Sequence, residues 1–117
     1  MHSPAINFAP RWIWLIWLWP LPAVCAAAPS AAVNFEKNYA GCHGADGKAQ
    51  TRLGRKAGAK DLTDKNGAGR RTDAEIFQTI KFGRKDRNGE EKMESFGKEL
   101  SDPEITELVA YVRRFTK

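Results

Sequence analysis

The stretch Tyr-Ala-Gly-Cys-His-Gly at residues 39–44 sets the thiol of Cys42 directly beside the imidazole of His43. After residue 32 the chain contains no other cysteine and no other histidine. A thiol and an imidazole that occur once each, side by side, indicate a site of chemistry rather than two incidental surface residues. Fifty positions beyond the histidine (93 − 43) lies Met93, whose thioether is a further candidate metal ligand.

The stretch contains most of a covalent haem-attachment signature. In the full signature, Cys-x-x-Cys-His, two thiols add to the haem vinyl groups and the histidine binds the iron. Here Tyr39 occupies the position of the first cysteine, whereas Cys42 and His43 match the rest. We therefore predict a haem held by one thioether bond instead of two. The alternative is that Tyr39 is an ordinary helix residue in a protein that no longer carries haem.

Residues 1–32 have the composition of a secretory leader. Arg11 is the only Lys or Arg in this segment, and an uncharged apolar run and then small residues follow it. These are the three parts of a signal peptide. We predict a secretory signal peptide over residues 1–32, with a retained membrane anchor or a lipid on Cys25 as alternatives. The candidate cleavage sites follow Ala26, Ala27 or Ala32. The protein is then periplasmic or secreted, and meets membranes only through its partners.

Residues 33–117 form one small domain with a net positive charge and few apolar residues. They hold 18 Lys and Arg (19 minus Arg11) against 14 Asp and Glu, a net charge of +4. All four tryptophans lie in the preceding leader. Domains of this size with a thin core commonly need a cofactor, a metal or a disulfide. A buried porphyrin would supply the missing apolar volume.

Three helices can be placed from capping and periodicity signals. The first covers about residues 33–41 and ends at the Cys-His pair. The second follows Thr72, which can form a capping box with Glu75, and stops at Gly83. The third follows a second capping box at residues 101–104 and has an apolar face at helical spacing.

No stretch alternates with a period of two for long enough to predict a sheet. The fold class is therefore all-α, with long loops at residues 44–71 and 84–100. Loops of this length are usually functional or disordered. Packing around a haem would order them.

From residue 33 to residue 117 the chain resembles a small class I bacterial cytochrome c. The matching motifs are YAGCHG at 39–44, MESFG at 93–97, LSDPEI at 100–105 and YVR at 111–113. The resemblance implies a small class I cytochrome c fold, with three main helices and ordered loops wrapped around one haem. It also implies that the first and last helices cross, with Phe35 and Tyr111 as the aromatic residues at the crossing.

The resemblance implies a role for each candidate site residue. Cys42 would form the thioether to haem, His43 would be the proximal iron ligand and Met93 the distal one, while Tyr39 marks the missing first cysteine. Both axial positions are then filled, so the protein would be an electron carrier rather than an enzyme, with one haem c per chain.

The surroundings of the haem are expected to tune it. The residues implied to exclude water are Phe77, Ile80 and Phe96. Many relatives have a proline in the first loop that orients the proximal histidine, but residues 59–62 contain none. The sequence therefore leaves open what hydrogen-bonds His43.

Basic residues occur in three groups, listed as Arg52, Arg55, Lys56 and Lys60; Arg70 and Arg71; and Lys81, Arg84, Lys85 and Arg87. Around a haem edge they would steer association with acidic docking surfaces of redox partner proteins. The alternative is a solvated surface. We expect no nucleic-acid partner, because the chain is predicted to be secreted. The glycines at residues 67–69 also lack the Lys-Ser/Thr of a phosphate loop.

Three functions are compatible with these features. The favoured one is a periplasmic monohaem electron carrier with His/Met ligation and a single thioether. The second is a haem-free interaction domain that keeps the fold without redox function. The third is a haem enzyme, which would require that Met93 does not bind and leaves an open iron position.

Overall fold

The computed structural model describes residues 29–117, so most of the predicted leader lies outside the described residues. The helices are α1 Ala31–Asn38, α2 Ala40–His43, α3 Arg52–Ala57, α4 Asp73–Phe82 and α5 Asp102–Val112. Short 3-10 helices cover Ala68–Arg70 and Arg113–Thr116. Strands β1 Arg84–Lys85 and β2 Glu91–Met93 pair in an antiparallel hairpin. None of the helices in residues 29–117 is long and apolar enough to cross a membrane.

The first helix starts two residues earlier than predicted and is interrupted at Tyr39. The Ser30 hydroxyl caps α1 by accepting the Val33 N–H at 3.4 Å. Tyr39, at φ −124° and ψ −31°, separates α1 from α2. Its N–H still donates to the Phe35 carbonyl at 2.8 Å, and its carbonyl accepts from His43 at 2.8 Å. The helical geometry is therefore interrupted at Tyr39 without loss of these backbone hydrogen bonds, and α2 ends at the Cys-His pair.

The capping boxes predicted for α4 and α5 are confirmed. The Thr72 hydroxyl accepts the Glu75 N–H at 3.2 Å, while the Glu75 carboxylate accepts the Thr72 N–H at 2.7 Å. The same reciprocal pair joins Ser101 and Glu104 at the start of α5. The predicted stop at Gly83 is also confirmed, because that residue has φ 73° directly after α4. Local side-chain chemistry therefore fixes the starts of both helices.

The core lies where α1 packs against α5. Phe35 is 1% exposed, and Ile105 and Leu108 are fully buried. The Phe35 ring centroid lies 5.2 Å from that of Tyr111 and 5.2 Å from that of Phe115. The predicted aromatic crossing is thus confirmed, with Phe115 as an additional member. Burying each such side chain stabilises the fold by about 1.5–3 kcal/mol.

Two sequence predictions are wrong in detail. The segment predicted as a continuous loop at residues 44–71 contains α3, which is capped by Thr51 and ends at Gly58 with φ 66°. The segment at 84–100 contains the hairpin, although no strand was predicted there. The strands are too short for an alternating pattern to be visible. The all-α class is nevertheless confirmed, since the hairpin is a minor element beside five helices.

Candidate functional site

A cavity of about 540 Å³ lies among α1, α2, α4, α5 and the hairpin. All four sequence-predicted site residues line it, namely Tyr39, Cys42, His43 and Met93. Its apolar wall includes Phe35, Leu62, Ile76, Ile80, Phe96, Leu108 and Val112. The volume falls within the range of about 300–1,000 Å³ that is usual for cofactor sites.

The prediction for Phe77 is wrong. Ile80 and Phe96 line the cavity as expected, but Phe77 lies outside the lining and packs against the core cluster. Ile76 and Ile80 occupy the face of α4 that is turned to the cavity, and both are buried. The apolar wall contributed by α4 is therefore aliphatic.

His43 is held by a backbone carbonyl. Its side chain is 9% exposed, and its Nδ1 lies 2.9 Å from the Lys60 carbonyl oxygen. A carbonyl oxygen can only accept, so Nδ1 carries the hydrogen and Nε2 keeps a free lone pair. A fixed Nδ1–H is the usual support for a histidine that binds metal through Nε2. The hydrogen-bond partner of His43, which the sequence left open because residues 59–62 contain no proline, is therefore the backbone carbonyl of Lys60.

The surroundings of His43 favour its neutral form. Burial lowers the pKa of the imidazole below its ordinary value, and the nearby charge of Arg84 lowers it further. The hydrogen bond with the Lys60 backbone raises the pKa, by less than burial lowers it, and the charge of Arg84 has the smallest effect of the three. Because a metal binds the unprotonated imidazole, this environment suits a ligand.

Helix α3 supports the Cys-His pair from behind. The Thr51 hydroxyl donates to the Cys42 carbonyl at 2.8 Å and accepts from the Gly54 N–H at 2.8 Å. Gly54 packs so closely that a Cβ there would lie 2.1 Å from the Cys42 oxygen. Cys42 itself is half-buried and forms no disulfide within residues 29–117. Its thiol is therefore available at the cavity wall.

Met93 is positioned by the hairpin and by the end of α4. It is the last residue of β2 and pairs with Arg84 of β1. The Met93 carbonyl packs closely against the backbone of Gly83, because a Cβ at that residue would lie only 2.5 Å from the carbonyl oxygen. The φ of 73° at Gly83 also favours glycine there. The chain beyond Met93 is held to α4, because the Phe96 N–H donates to the Ile80 carbonyl at 3.0 Å. The half-buried thioether thus belongs to a well-anchored segment.

Tyr39 fills the position of the missing cysteine with a large neutral ring. It is 5% exposed, and its ring centroid lies 4.6 Å from that of Phe96. Its hydroxyl is buried and has no hydrogen-bond partner among residues 29–117. Burial raises the pKa of Tyr39 above its ordinary value, and the charge of Glu99 adds to the rise. A buried, unpaired hydroxyl costs about 1–3 kcal/mol.

The fold and the cavity define a class I cytochrome c-like domain, and comparisons with known proteins agree. The chain belongs to the family described as cytochrome c oxidase, cbb3-type, subunit III, whose model matches residues 26–112. It is similar to the solved structure of a c-type cytochrome, KustC0563, with 28% identity and a TM-score of 0.65. That match covers 76% of this chain and 100% of the other. No curated protein matches significantly. The resemblance and the fold class predicted from the sequence are confirmed.

The family implies a bound haem c, and the residues present fit one. The cavity is large enough for a cofactor and mostly apolar. It brings together a free thiol, a neutral imidazole with an unoccupied Nε2, and a thioether. This is the donor set of a His/Met-ligated haem site. Tyr39 is the one departure, because it removes the second thiol.

Proposed function

We propose that the chain is a monohaem cytochrome c that carries one electron at a time between redox partner proteins in the periplasm or outside the cell. Family membership makes it a haem-binding electron carrier in general terms. The observation that carries the finer proposal is the His43 imidazole, which the Lys60 carbonyl orients at a cavity that it shares with Cys42 and Met93. A bound haem would supply an iron that accepts and releases one electron.

Each cavity residue has a distinct role in this proposal. His43 Nε2 would serve as the proximal iron ligand and the thioether of Met93 as the distal one, and a thioether would favour the ferrous state relative to a second imidazole. The Cys42 thiol would hold the haem by adding to one of its vinyl groups, which gives the single thioether bond. The Tyr39 ring, which has no thiol, packs at the edge where the second bond would be. With both His43 and Met93 as ligands, no coordination position would be left for a substrate, and the chain would act as a carrier rather than an enzyme.

The proposal includes removal of residues 1–32 or most of them as a secretory signal peptide. Ser30 caps α1 through its hydroxyl, so cleavage after Ala26 or Ala27 would keep the cap, whereas cleavage after Ala32 would remove it. An N-cap is worth about 1 kcal/mol. We therefore favour the two earlier sites. The intact mass of protein recovered from a periplasmic extract identifies the cut directly.

The primary test is a pyridine haemochrome spectrum, run beside an intact mass, of protein produced with a cytochrome c maturation system. We expect a mass increased by one haem and an absorption band between those of two-thioether and non-covalent haem. A folded, colourless protein with an apo mass would instead support the haem-free interaction domain, once the Tyr39→Cys variant had shown that maturation works on this chain.

Tyr39→Cys restores the full attachment signature. We expect two thioether bonds and an unchanged fold, because α1 and α2 already place residue 39 at the cavity wall. The haemochrome band should shift to the two-thioether position while the mass still shows one haem. A variant that gained no second bond would mean that residue 39 does not correspond to the first cysteine.

Met93→Ala removes the proposed distal ligand. We expect haem to remain attached through Cys42 and His43 while the iron becomes able to bind added carbon monoxide, as seen in the absorption spectrum. Glu94→Ala is the matched control, because Glu94 also lines the cavity but has no thioether. Loss of all haem from Met93→Ala alone would show that Met93 does more than complete the coordination.

A further inference from the structure

Residues 94–97, which follow the proposed distal ligand, complete the C-terminal end of helix α4. We call these residues the distal segment. The last four carbonyls of a helix have no N–H partner within the helix. Here the Phe96 N–H donates to the Ile80 carbonyl at 3.0 Å. The Gly97 N–H donates to the Lys81 carbonyl at the same distance. The distal segment therefore takes the place of a further helical turn.

Two glycines allow the distal segment to approach α4 this closely. A Cβ at Gly97 would lie 2.7 Å from the Lys81 carbonyl oxygen. A Cβ at Gly83, directly after α4, would lie 2.9 Å from the Ser95 nitrogen. Because real Cβ atoms do not approach other atoms this closely, backbone packs on backbone here with no side chain between. The position of the distal segment on α4 is therefore closely fixed.

Ser95 adds a hydrogen bond from its side chain to this backbone contact. Its hydroxyl donates to the Lys81 carbonyl at 2.8 Å, and a carbonyl oxygen can accept two hydrogen bonds. In the part of the chain that the structure describes, no other side-chain hydrogen bond joins the distal segment to α4. Residues of many types could supply the two backbone N–H groups, whereas few could replace this hydroxyl. The identity of Ser95 therefore affects how firmly the segment is held.

Met93 lies between two anchors with little slack. On its N-terminal side it pairs with Arg84 in the hairpin, whose strands contain only two and three residues. A two-stranded hairpin is a weak anchor by itself. On its C-terminal side a single residue, Glu94, separates Met93 from Ser95. A thioether that moved away from a bound iron would therefore pull directly on the hydrogen bond made by Ser95.

We propose that Ser95 is a positioning residue, whose hydrogen bond to the end of α4 keeps the Met93 thioether at the distal position and other ligands away from it. The inference rests on the proposed function and names a residue that regulates access to the same site. An added ligand would bind only protein whose thioether is released, so its apparent affinity is reduced to the extent that this fraction is small. Loss of one hydrogen bond would raise the released fraction about fivefold.

The first arm of the test titrates imidazole into the ferric, haem-loaded protein and follows replacement of the thioether by absorption. We expect Ser95→Ala to bind imidazole about fivefold more tightly than the wild type. Ser95→Thr keeps a hydroxyl at an exposed residue and should stay within about twofold of the wild type.

Thr106→Ala is the matched control for this titration. The exposed Thr106 hydroxyl also donates to a helix carbonyl, that of Asp102 at 2.9 Å, but it lies outside the cavity lining. The control should bind imidazole within about twofold of the wild type. Equal effects of Ser95→Ala and Thr106→Ala would overturn the proposal, because loss of any surface hydroxyl would then explain them.

A double-mutant cycle decides whether Ser95 acts through Met93. In Met93→Ala no thioether competes with imidazole, so adding Ser95→Ala should change the imidazole affinity by less than about twofold. An equal gain from Ser95→Ala in both backgrounds would overturn the proposal, because Ser95 would then only shape the pocket. Equal imidazole affinities of wild-type and Met93→Ala protein would contradict the proposed ligand set, and the inference with it.

The second arm uses the haem-free chain. Trypsin cuts after Lys92 only when the chain around Met93 opens, so the cutting rate reports how often the distal segment leaves α4. Rates are divided by those of a peptide of residues 88–97 with the same substitution. We expect Ser95→Ala to be cut about fivefold faster than the wild type and Thr106→Ala at the wild-type rate.

Failure of the proposed function is recognised separately, by the absence of haem in the wild-type spectrum. The trypsin arm then still decides whether Ser95 anchors the distal segment. A cutting rate that Ser95→Ala left unchanged would overturn that role.

Discussion

The unpaired hydroxyl of Tyr39 is a local weakness in the wall of the candidate site. We predict that Tyr39→Phe stabilises the haem-free chain by about 1 kcal/mol, because it removes a buried group without a partner and keeps the ring contact with Phe96. Urea unfolding measures the change. Tyr111→Phe, the same chemical change at a half-buried residue, is the control and should stay within about 0.5 kcal/mol. Clear destabilisation by Tyr39→Phe would mean that the hydroxyl has a partner after all.

The same residue predicts an alkaline dependence of stability. In the unfolded chain the pKa of a tyrosine hydroxyl is about 10. In the folded chain burial raises the pKa of Tyr39, so its hydroxyl stays protonated to higher pH. The folded state then binds more protons, so the free energy of unfolding falls as pH rises, by up to about 1.4 kcal/mol per pH unit. The stability gap between Tyr39→Phe and the wild type should therefore widen above about pH 10. A gap that stayed constant would show that Tyr39 ionises equally in both states.

At the scale of single residues, the sequence predicted side chains better than backbone contacts. Cys42, His43 and Met93 were identified by residue type, and all three line one cavity. The Lys60 carbonyl was not identified, because any residue can supply a carbonyl oxygen and its side chain gives no signal. Phe77 was misplaced for a related reason. An aromatic residue beside Ile76 on an amphipathic helix can lie on either edge of the apolar face.

At the scale of elements, prediction succeeded where side chains satisfy the helix ends. α4 and α5 begin with capping boxes that can be seen in the sequence. α3 has weaker signals, a Thr51 cap and a terminal Gly58, and its central Gly54 argues against a helix. The only sequence signal for the hairpin is Asn88-Gly89 in its turn. This pair strongly indicates a hairpin only when recognisable strands flank it. Tertiary contacts with the Cys-His pair and with α4, rather than local preference, stabilise these short elements.

Gly54→Ala tests whether α3 positions the Cys-His pair. Its Cβ would lie 2.1 Å from the Cys42 oxygen, so α3 must move away and lose the bonds made by Thr51. We expect destabilisation of about 1–3 kcal/mol and a lower yield of haem-loaded protein, measured by urea unfolding and by the haem-to-protein absorbance ratio. Gly69→Ala is the control, because a Cβ there would meet no atom closer than 3.5 Å. If Gly54→Ala and Gly69→Ala had the same stability and the same yield of haem-loaded protein, α3 would not be needed to position the Cys-His pair.

At the scale of the whole molecule, the domain has two apolar regions of different kinds. One is the filled core around Phe35, Ile105 and Leu108, where α1 packs against α5. The other is the cavity, whose walls come from the four helices α1, α2, α4 and α5, the hairpin and the segment after α3, so that Phe35 and Leu108 belong to both regions. A cavity of about 540 Å³ in so small a domain leaves its walls without part of the packing that a filled interior would give. The two regions should therefore differ in how far their stability depends on a cofactor.

Hydrogen exchange measured by mass spectrometry on haem-free and haem-loaded protein tests this division. We expect backbone amides of residues 59–71 and 84–97 to gain strong protection on loading, because a cofactor held by Cys42, His43 and Met93 would fill the cavity beside them. Amides in the middle of α5 should already be protected in the haem-free chain, since Ile105 and Leu108 are fully buried without a cofactor. Uniform protection of both regions in the haem-free chain would contradict the division. Uniform exposure would mean that the core does not fold alone, and haem binding and folding would then be a single event.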